Sequence, residues 1–168
     1  MAREGHGPIE AYGGNRRQPQ ISRPGSHPGR MVRIAFVCVE NAGRSQMAAG
    51  FARAIADRGE EVLSGGTLPA KDVNPVVVDV MREAGVDLSR ERPHRIKPSE
   101  LEGCDVVVTM GCAAGDICPA TFRGDAVDWA LPDPKGRSKA EVREIRDEIE
   151  RRVRALFAEI REGAEPEA

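Results

Sequence analysis

A cysteine followed at fixed distance by arginine and serine, Cys38-Val39-Glu40-Asn41-Ala42-Gly43-Arg44-Ser45, is the stretch of this sequence richest in chemistry. A loop that joins a strand to a helix turns backbone N–H groups into a concavity suited to an anion. The residues of that concavity are Val39, Glu40, Asn41, Ala42, Gly43, Arg44 and Ser45. Gly43 allows a close turn, and the Arg44 guanidinium can grip two oxygens of one oxyanion. A thiol at the base of that cradle faces a helix N-terminus and a cation, both of which favour the thiolate, and Ser45 can donate a hydrogen bond to the sulfur. A thiolate held against a tetrahedral oxyanion is set up for in-line attack. The plainer reading is a buried apolar filler at a strand end, because free cysteines are often fully buried. Arginine and serine at this spacing favour the nucleophile. Glu40 is out of keeping with an anion loop, and its side chain is expected to point outward.

The elements that must position this loop are legible on either side of it. Residues 32–37 form a short, nearly continuous apolar run, as in a strand covered on both faces. Met47, Phe51 and Ile55 recur at helical spacing and stop near Gly59. Residues 61–67 read as a second strand breaking into a loop. Asn74-Pro75 starts a helix that Gly85 ends. After a polar connection, residues 104–110 read as a third strand and 126–129 as a fourth. Ser138 with Glu141 predicts a capping box. The helix it opens carries one apolar stripe of Val142, Ile145, Ile149, Val153, Leu156 and Ile160 against a charged, solvated face.

Strands alternating with helices imply parallel pairing through right-handed crossovers, with the ligand site beyond the carboxyl ends of the strands. The Cys38 loop, the loop bearing Cys112 and Cys118, and the loop bearing Asp133 should therefore open on one edge. Asp-Pro at 133–134 is by itself an ordinary turn former. Cys112 and Cys118 are separated by a small, Gly-containing linker that can let a thiol move. They can also be packing cysteines or half of a metal site, but His6 and His27 are remote and His94 is isolated, so no metal is expected. Cys104 opens an apolar strand and reads as core.

Cys-x5-Arg-Ser after a first strand, with a late Asp-Pro, resembles the low-molecular-weight protein tyrosine phosphatase superfamily. Asn41-Ala42-Gly43-Arg44-Ser45-Gln46-Met47-Ala48 is more similar to the arsenate reductases of that superfamily, which favour Gln where phosphatases favour Pro. Gly65-Gly66-Thr67, Val73-Asn74-Pro75, Val108-Thr109-Met110-Gly111-Cys112, Trp129-Ala130-Leu131-Pro132-Asp133-Pro134 and Ile145-Arg146-Asp147-Glu148-Ile149 extend the match. The resemblance covers essentially residues 31–162. It implies an α/β fold, a small three-layer sandwich on a four-stranded parallel sheet of the low-molecular-weight phosphatase-like (flavodoxin-like) kind.

The resemblance also implies roles. Cys38 is the nucleophile, Arg44 binds the oxyanion, and Asp133 is the general acid. Cys112 attacks the arseno adduct, and Cys118 resolves the product into a disulfide that an external thiol reductant, thioredoxin or a low-molecular-weight thiol, reopens. No bound cofactor is implied. The 112–118 spacing is one residue shorter than in the best-known thioredoxin-coupled members. Ala49 stands where potassium-binding relatives place Glu, so no such ion site is expected. A tyrosine phosphatase is the alternative activity, with Lys135 standing against it where those enzymes usually carry an aromatic residue. A non-catalytic oxyanion sensor would need the cradle without its acid, and Asp133 argues against that.

Composition narrows the classes further. The chain has 168 residues, with 40% hydrophobic and 31% charged, the profile of an ordinary globular protein. Aromatics make up 4%, so the core must rest on Val, Ile, Leu, Ala and Met. A net charge of -2 gives no sign of a nucleic-acid partner. No stretch is long and apolar enough for a membrane span or a secretory signal, so a cytoplasmic location is expected, with reduced thiols. Residues 1–30 are rich in Gly, Pro, Arg, Asn and Gln, lack periodicity and are expected to be disordered, with Met31 a candidate translation start. Residues 31–162 are expected to form the catalytic domain, residues 163–168 a flexible tail, and the assembly a monomer or weak dimer.

Overall fold

The computed structural model describes residues 29–112 and 114–164. Among the described residues nine elements follow one another: β1 (Val32–Cys38), α1 (Arg44–Ile55), β2 (Glu60–Gly66), α2 (Pro75–Glu83), α3 (Pro98–Glu102), β3 (Val106–Met110), α4 (Ala114–Ile117), β4 (Asp125–Asp128) and α5 (Lys139–Ala164). The four strands form one parallel sheet in the order β2-β1-β3-β4. β1 is central, and its last residue, Cys38, aligns with Gly66 of β2 and Met110 of β3. The nucleophile candidate thus stands at the carboxyl edge of the sheet, where βα loops converge.

The period-two alternation of β1 divides the interior. Ile34, Phe36 and Cys38 face a large cluster built with Met47, Ala48, Phe51 and Ala52 of α1, Val77, Val80 and Met81 of α2, and the stripe of α5 from Val142 to Ile160. Ala35 and Val37 face a smaller cluster with Ile96, Leu101, Cys104 and Val107. The expected three layers are therefore present. Trp129 and Phe36 meet with ring centroids 5.9 Å apart, and together with Phe157 they supply most of the aromatic bulk of a core otherwise made of aliphatic side chains.

The expected start of α5 holds: the Glu141 N–H donates to Ser138 Oγ at 3.2 Å and the Ser138 N–H to Glu141 Oε1 at 3.4 Å. Asn74 Oδ1 accepts from the Val76 N–H, capping α2 with Pro75 at its first position. Three expectations need correction. β3 begins at Val106 rather than Cys104, because the Cys104 N–H closes α3 onto Leu101 O and the Asp105 N–H goes to Arg33 O. The polar connection before it contains α3, started by Pro98 and too short to show a period. β4 lies one residue earlier than expected, although the Trp129 N–H still donates to Thr109 O. The disorder expected of residues 1–30 falls almost wholly outside the described residues; Arg30 is described and pairs with Asp105. α5 continues through Ala164, and residues 165–168 are outside the described range.

α2 and α5 are clamped by Glu83, which accepts from Arg143 Nε and Nη2, each at 2.8 Å, and from Arg146 Nη1 at 3.2 Å. The hydrogen bond from Arg143 is the main reason its carboxyl titrates at about 2, below the ordinary 4.5. A depressed folded-state pKa adds stability that is full above the unfolded value and is lost as pH falls through the folded one. Glu83→Gln should therefore lower the melting temperature at pH 7 by a small amount, as befits a solvated pair. The gap from the parent should close as pH is taken from about 4.5 to about 2, as thermal melts at stepped pH would read.

Candidate active site

α1 starts at Arg44, and the loop 39–43 lies against its N-terminus. The outer side of this loop is stitched to the segment after β2. Thr67 N–H donates to Cys38 O at 3.2 Å, Leu68 N–H to Val39 O at 2.8 Å, Ala70 N–H to Glu40 O at 2.9 Å and Asn74 N–H to Ala42 O at 2.9 Å. In a trans peptide the C=O and N–H point opposite ways, so the N–H groups of Val39, Glu40, Asn41 and Gly43 turn inward. The Asn41 N–H shows this directly by donating to Cys38 Sγ at 3.2 Å. The inward side is a set of donors around a sulfur, the arrangement an oxyanion needs.

Cys38 is 3% exposed and its Sγ lies 2.8 Å from Ser45 Oγ. Ser45 in turn accepts from Asn41 Nδ2 at 2.7 Å, which leaves its own proton available to the sulfur. Asn41 Oδ1 accepts from Gln46 Nε2 and from the His94 N–H, each at 3.1 Å. Asn41 has φ +51°, a left-handed conformation that asparagine tolerates better than most residues. Arg44 is fixed by Nη1 donating to Leu131 O at 2.9 Å and approaches Asp133 at 3.7 Å. Cys38, Val39, Glu40, Ala42, Gly43, Arg44, Ala70, Asp72, Asn74, Asp133, Pro134 and Lys135 line a cleft of about 250 Å³.

The structure brings Cys38, the anion loop, Arg44 and Asp133 together and keeps Cys112 and Cys118 out of that cleft. Both thiols pack, partly buried, against the smaller cluster on the opposite side of the sheet from Cys38. The alternation along β1 explains this: Cys112 Sγ donates to Val37 O at 3.7 Å, and Val37 faces away from Cys38. Burial pushes both thiols up from the ordinary 9.0, and for Cys112 the neighbouring Cys38 and Asp128 add to the rise while Arg44 opposes it. Cys104 is core as expected, its thiol pushed up by burial to about 11 and donating to Glu100 O at 3.2 Å. Among the described residues, no three or more His, Cys, Asp or Glu side chains gather as a metal site.

Several contributors escaped the sequence reading. Leu131 acts through its carbonyl, which side-chain chemistry cannot reveal. Gly66 is packed so closely that a Cβ would lie 2.5 Å from Val39 O, and Gly111, at φ +78°, would place one 2.7 Å from Arg44 Nη2. Asp72 and Asn74 line the cleft from the segment after β2. Glu40 does not simply point outward: it accepts from Lys135 Nζ at 3.1 Å, across the mouth of the cleft.

A parallel α/β sheet with a thiol-headed anion loop at its carboxyl edge defines the class of this protein. The chain belongs to the low molecular weight phosphotyrosine protein phosphatase family, whose pattern matches residues 33–165. A Halobacterium salinarum protein with a provisional arsenate reductase name is 48% identical over 133 residues, covering 76% of this chain and 92% of its own. A Synechocystis glutaredoxin arsenate reductase is 34% identical, covering 77% of this chain and 99% of its own. The solved Corynebacterium glutamicum thioredoxin-dependent arsenate reductase superposes with TM-score 0.68 at 36% identity, covering 82% of this chain, which spans 65% of that one.

Gly111→Ala should unseat Arg44, because the new methyl group meets the guanidinium in a backbone conformation that alanine adopts poorly. Calorimetric titration with inorganic phosphate should show binding weakened by roughly tenfold or more, in line with loss of a bidentate charge-assisted contact. Unchanged binding would mean that Arg44 does not hold the oxyanion.

Proposed function

We propose that this protein reduces arsenate to arsenite. Cys38 attacks arsenic, its sulfur forming a bond as one oxygen leaves as water, with Asp133 supplying the proton. Arg44 and the inward N–H groups of the loop hold the remaining oxygens, and Ser45 and the Asn41 N–H steady the sulfur before attack. The Cys112 thiolate then attacks Cys38 Sγ. The S–As electron pair stays with arsenic, which leaves as arsenite, and a Cys38–Cys112 disulfide remains. Cys118 attacks Cys112 Sγ, freeing Cys38 and leaving a Cys112–Cys118 disulfide. Two thiols have lost two electrons and arsenic has gained two. An external thiol, thioredoxin, a glutaredoxin-type partner or a low-molecular-weight thiol, restores the pair.

The observation that carries reduction rather than hydrolysis is the Cys112 Sγ–Val37 O contact, which holds a second thiol beside the residue preceding the nucleophile. The two thiols lie on opposite sides of β1, so the 111–118 loop must move for the second step. Gly111, at φ +78°, is at its start. Reduction as the overall reaction is supported by relatives named glutaredoxin arsenate reductase and thioredoxin-dependent arsenate reductase. Lys135 beside the cleft offers no ring to stack on an aryl phosphate.

Cys38→Ser should abolish arsenite release. Cys112→Ser should reduce it by at least about a hundredfold, because no thiol then meets the adduct. Arsenite release at the parental rate by either variant would refute the scheme. With thiol reductant saturating, turnover should rise with pH above neutral, since Cys112 must shed a proton that burial makes harder to lose. A rate that falls over that range would place the limiting step elsewhere.

A further inference from the structure

Glu40 is a carboxylate in a loop built to hold an anion, and Asp72 and Asp133 line the same cleft. Against these three carboxylates the lining offers two cations, Arg44 and Lys135. Arg44 lies inside, its side chain 11% exposed and its Nη1 committed to Leu131 O. Lys135 lies outside, 71% exposed, and reaches across to Glu40 at 3.1 Å. Such an exposed pair adds little to folding stability, so stability alone does not account for it. Its place is what distinguishes it. Glu40 belongs to the nucleophile loop, while Lys135 follows Asp133 by two residues and donates its own N–H to Asp133 Oδ1 at 3.0 Å.

Two consequences follow for whatever enters. First, the lysine offsets a negative charge that would otherwise repel a doubly charged oxyanion at the mouth, where field lines are concentrated by the low-dielectric walls. Second, a leaving oxygen must lie towards Asp133, so the organic group of a phosphomonoester would continue outward into the space that the pair spans. An inorganic oxyanion has no such group. We propose that the Glu40–Lys135 pair is a specificity determinant, which admits small inorganic oxyanions and disfavours esters. This rests on the reading of the cleft as an arsenate site and names what selects its substrate.

The test is a double-mutant cycle of Lys135→Ala and Glu40→Gln, read by two probes and checked by thermal melts. At low ionic strength, Lys135→Ala should weaken inorganic phosphate binding roughly five- to tenfold, as expected for one uncompensated charge at the mouth. Adding Glu40→Gln should recover most of that loss, and about 0.5 M salt should erase the difference by screening. With p-nitrophenyl phosphate, the double variant should show a KM several-fold below that of the parent, because the opened mouth acts on entry. Additive effects, a deficit that persists in salt, or an unaltered KM for the ester would overturn the proposal. A melting temperature lowered in step with binding would also overturn it, by making the pair structural. Arsenite release by the parent with a thiol reductant is measured alongside. If that fails while the phosphate cycle behaves as stated, the reductase reading falls and the role of the pair stands.

Discussion

The geometry of the site depends on the buried amide of Asn41. Its backbone N–H reaches the Cys38 sulfur, its Nδ2 holds Ser45, and its Oδ1 collects Gln46 and the backbone of His94. A left-handed backbone at a non-glycine residue is costly, and the surrounding hydrogen bonds offset that cost. Cys38, Asn41, Ser45 and Gln46 are buried, so losing one partner would strand another in a medium where unpaired polar groups are expensive. The loop is thereby held in its anion-ready shape before any oxyanion arrives. This is the preorganisation that makes fixed N–H groups effective.

The sheet supplies the rest by position. Cys38 ends the central strand between Gly66 and Met110, so the loops after three strands meet around it. Gly66 lets the second crossover press against the nucleophile loop, and Gly111 lets the third pass beside Arg44. The same alternation that aims Cys38 towards α1 sends Val37 and its thiol neighbour Cys112 to the other side. Cys38 and Cys112, remote in sequence, both lie at the end of β1 but on opposite sides of the sheet. The proposed second chemical step therefore depends on loop movement.

Much of this was legible before the structure. The apolar runs of β1 and β3, the Asn74-Pro75 start and the Ser138/Glu141 cap are local signals, and local signals survive in the fold. The Cys38 loop was legible because its spacing states its own geometry. α3 was not, being a single turn too short for periodicity. Nor was the side of the sheet on which Cys112 and Cys118 lie, since which way a loop folds back depends on packing with Leu101 and Val107, remote in sequence from the nucleophile. The Leu131 carbonyl and the Glu40–Lys135 pair are tertiary facts of the same kind, joining residues 87 and 95 positions apart.

In the proposed reaction two electrons reach arsenic through Cys38, and the oxidised product is a Cys112–Cys118 disulfide. The most direct test is a single turnover of the fully reduced protein with arsenate and no external reductant, followed by acid quench, arsenite measurement and mass-spectrometric disulfide mapping. About one arsenite per chain is expected, matched by a Cys112–Cys118 disulfide with Cys38 free. Arsenite formed with Cys112 and Cys118 still reduced, or no arsenite from a protein that hydrolyses p-nitrophenyl phosphate freely, would contradict it.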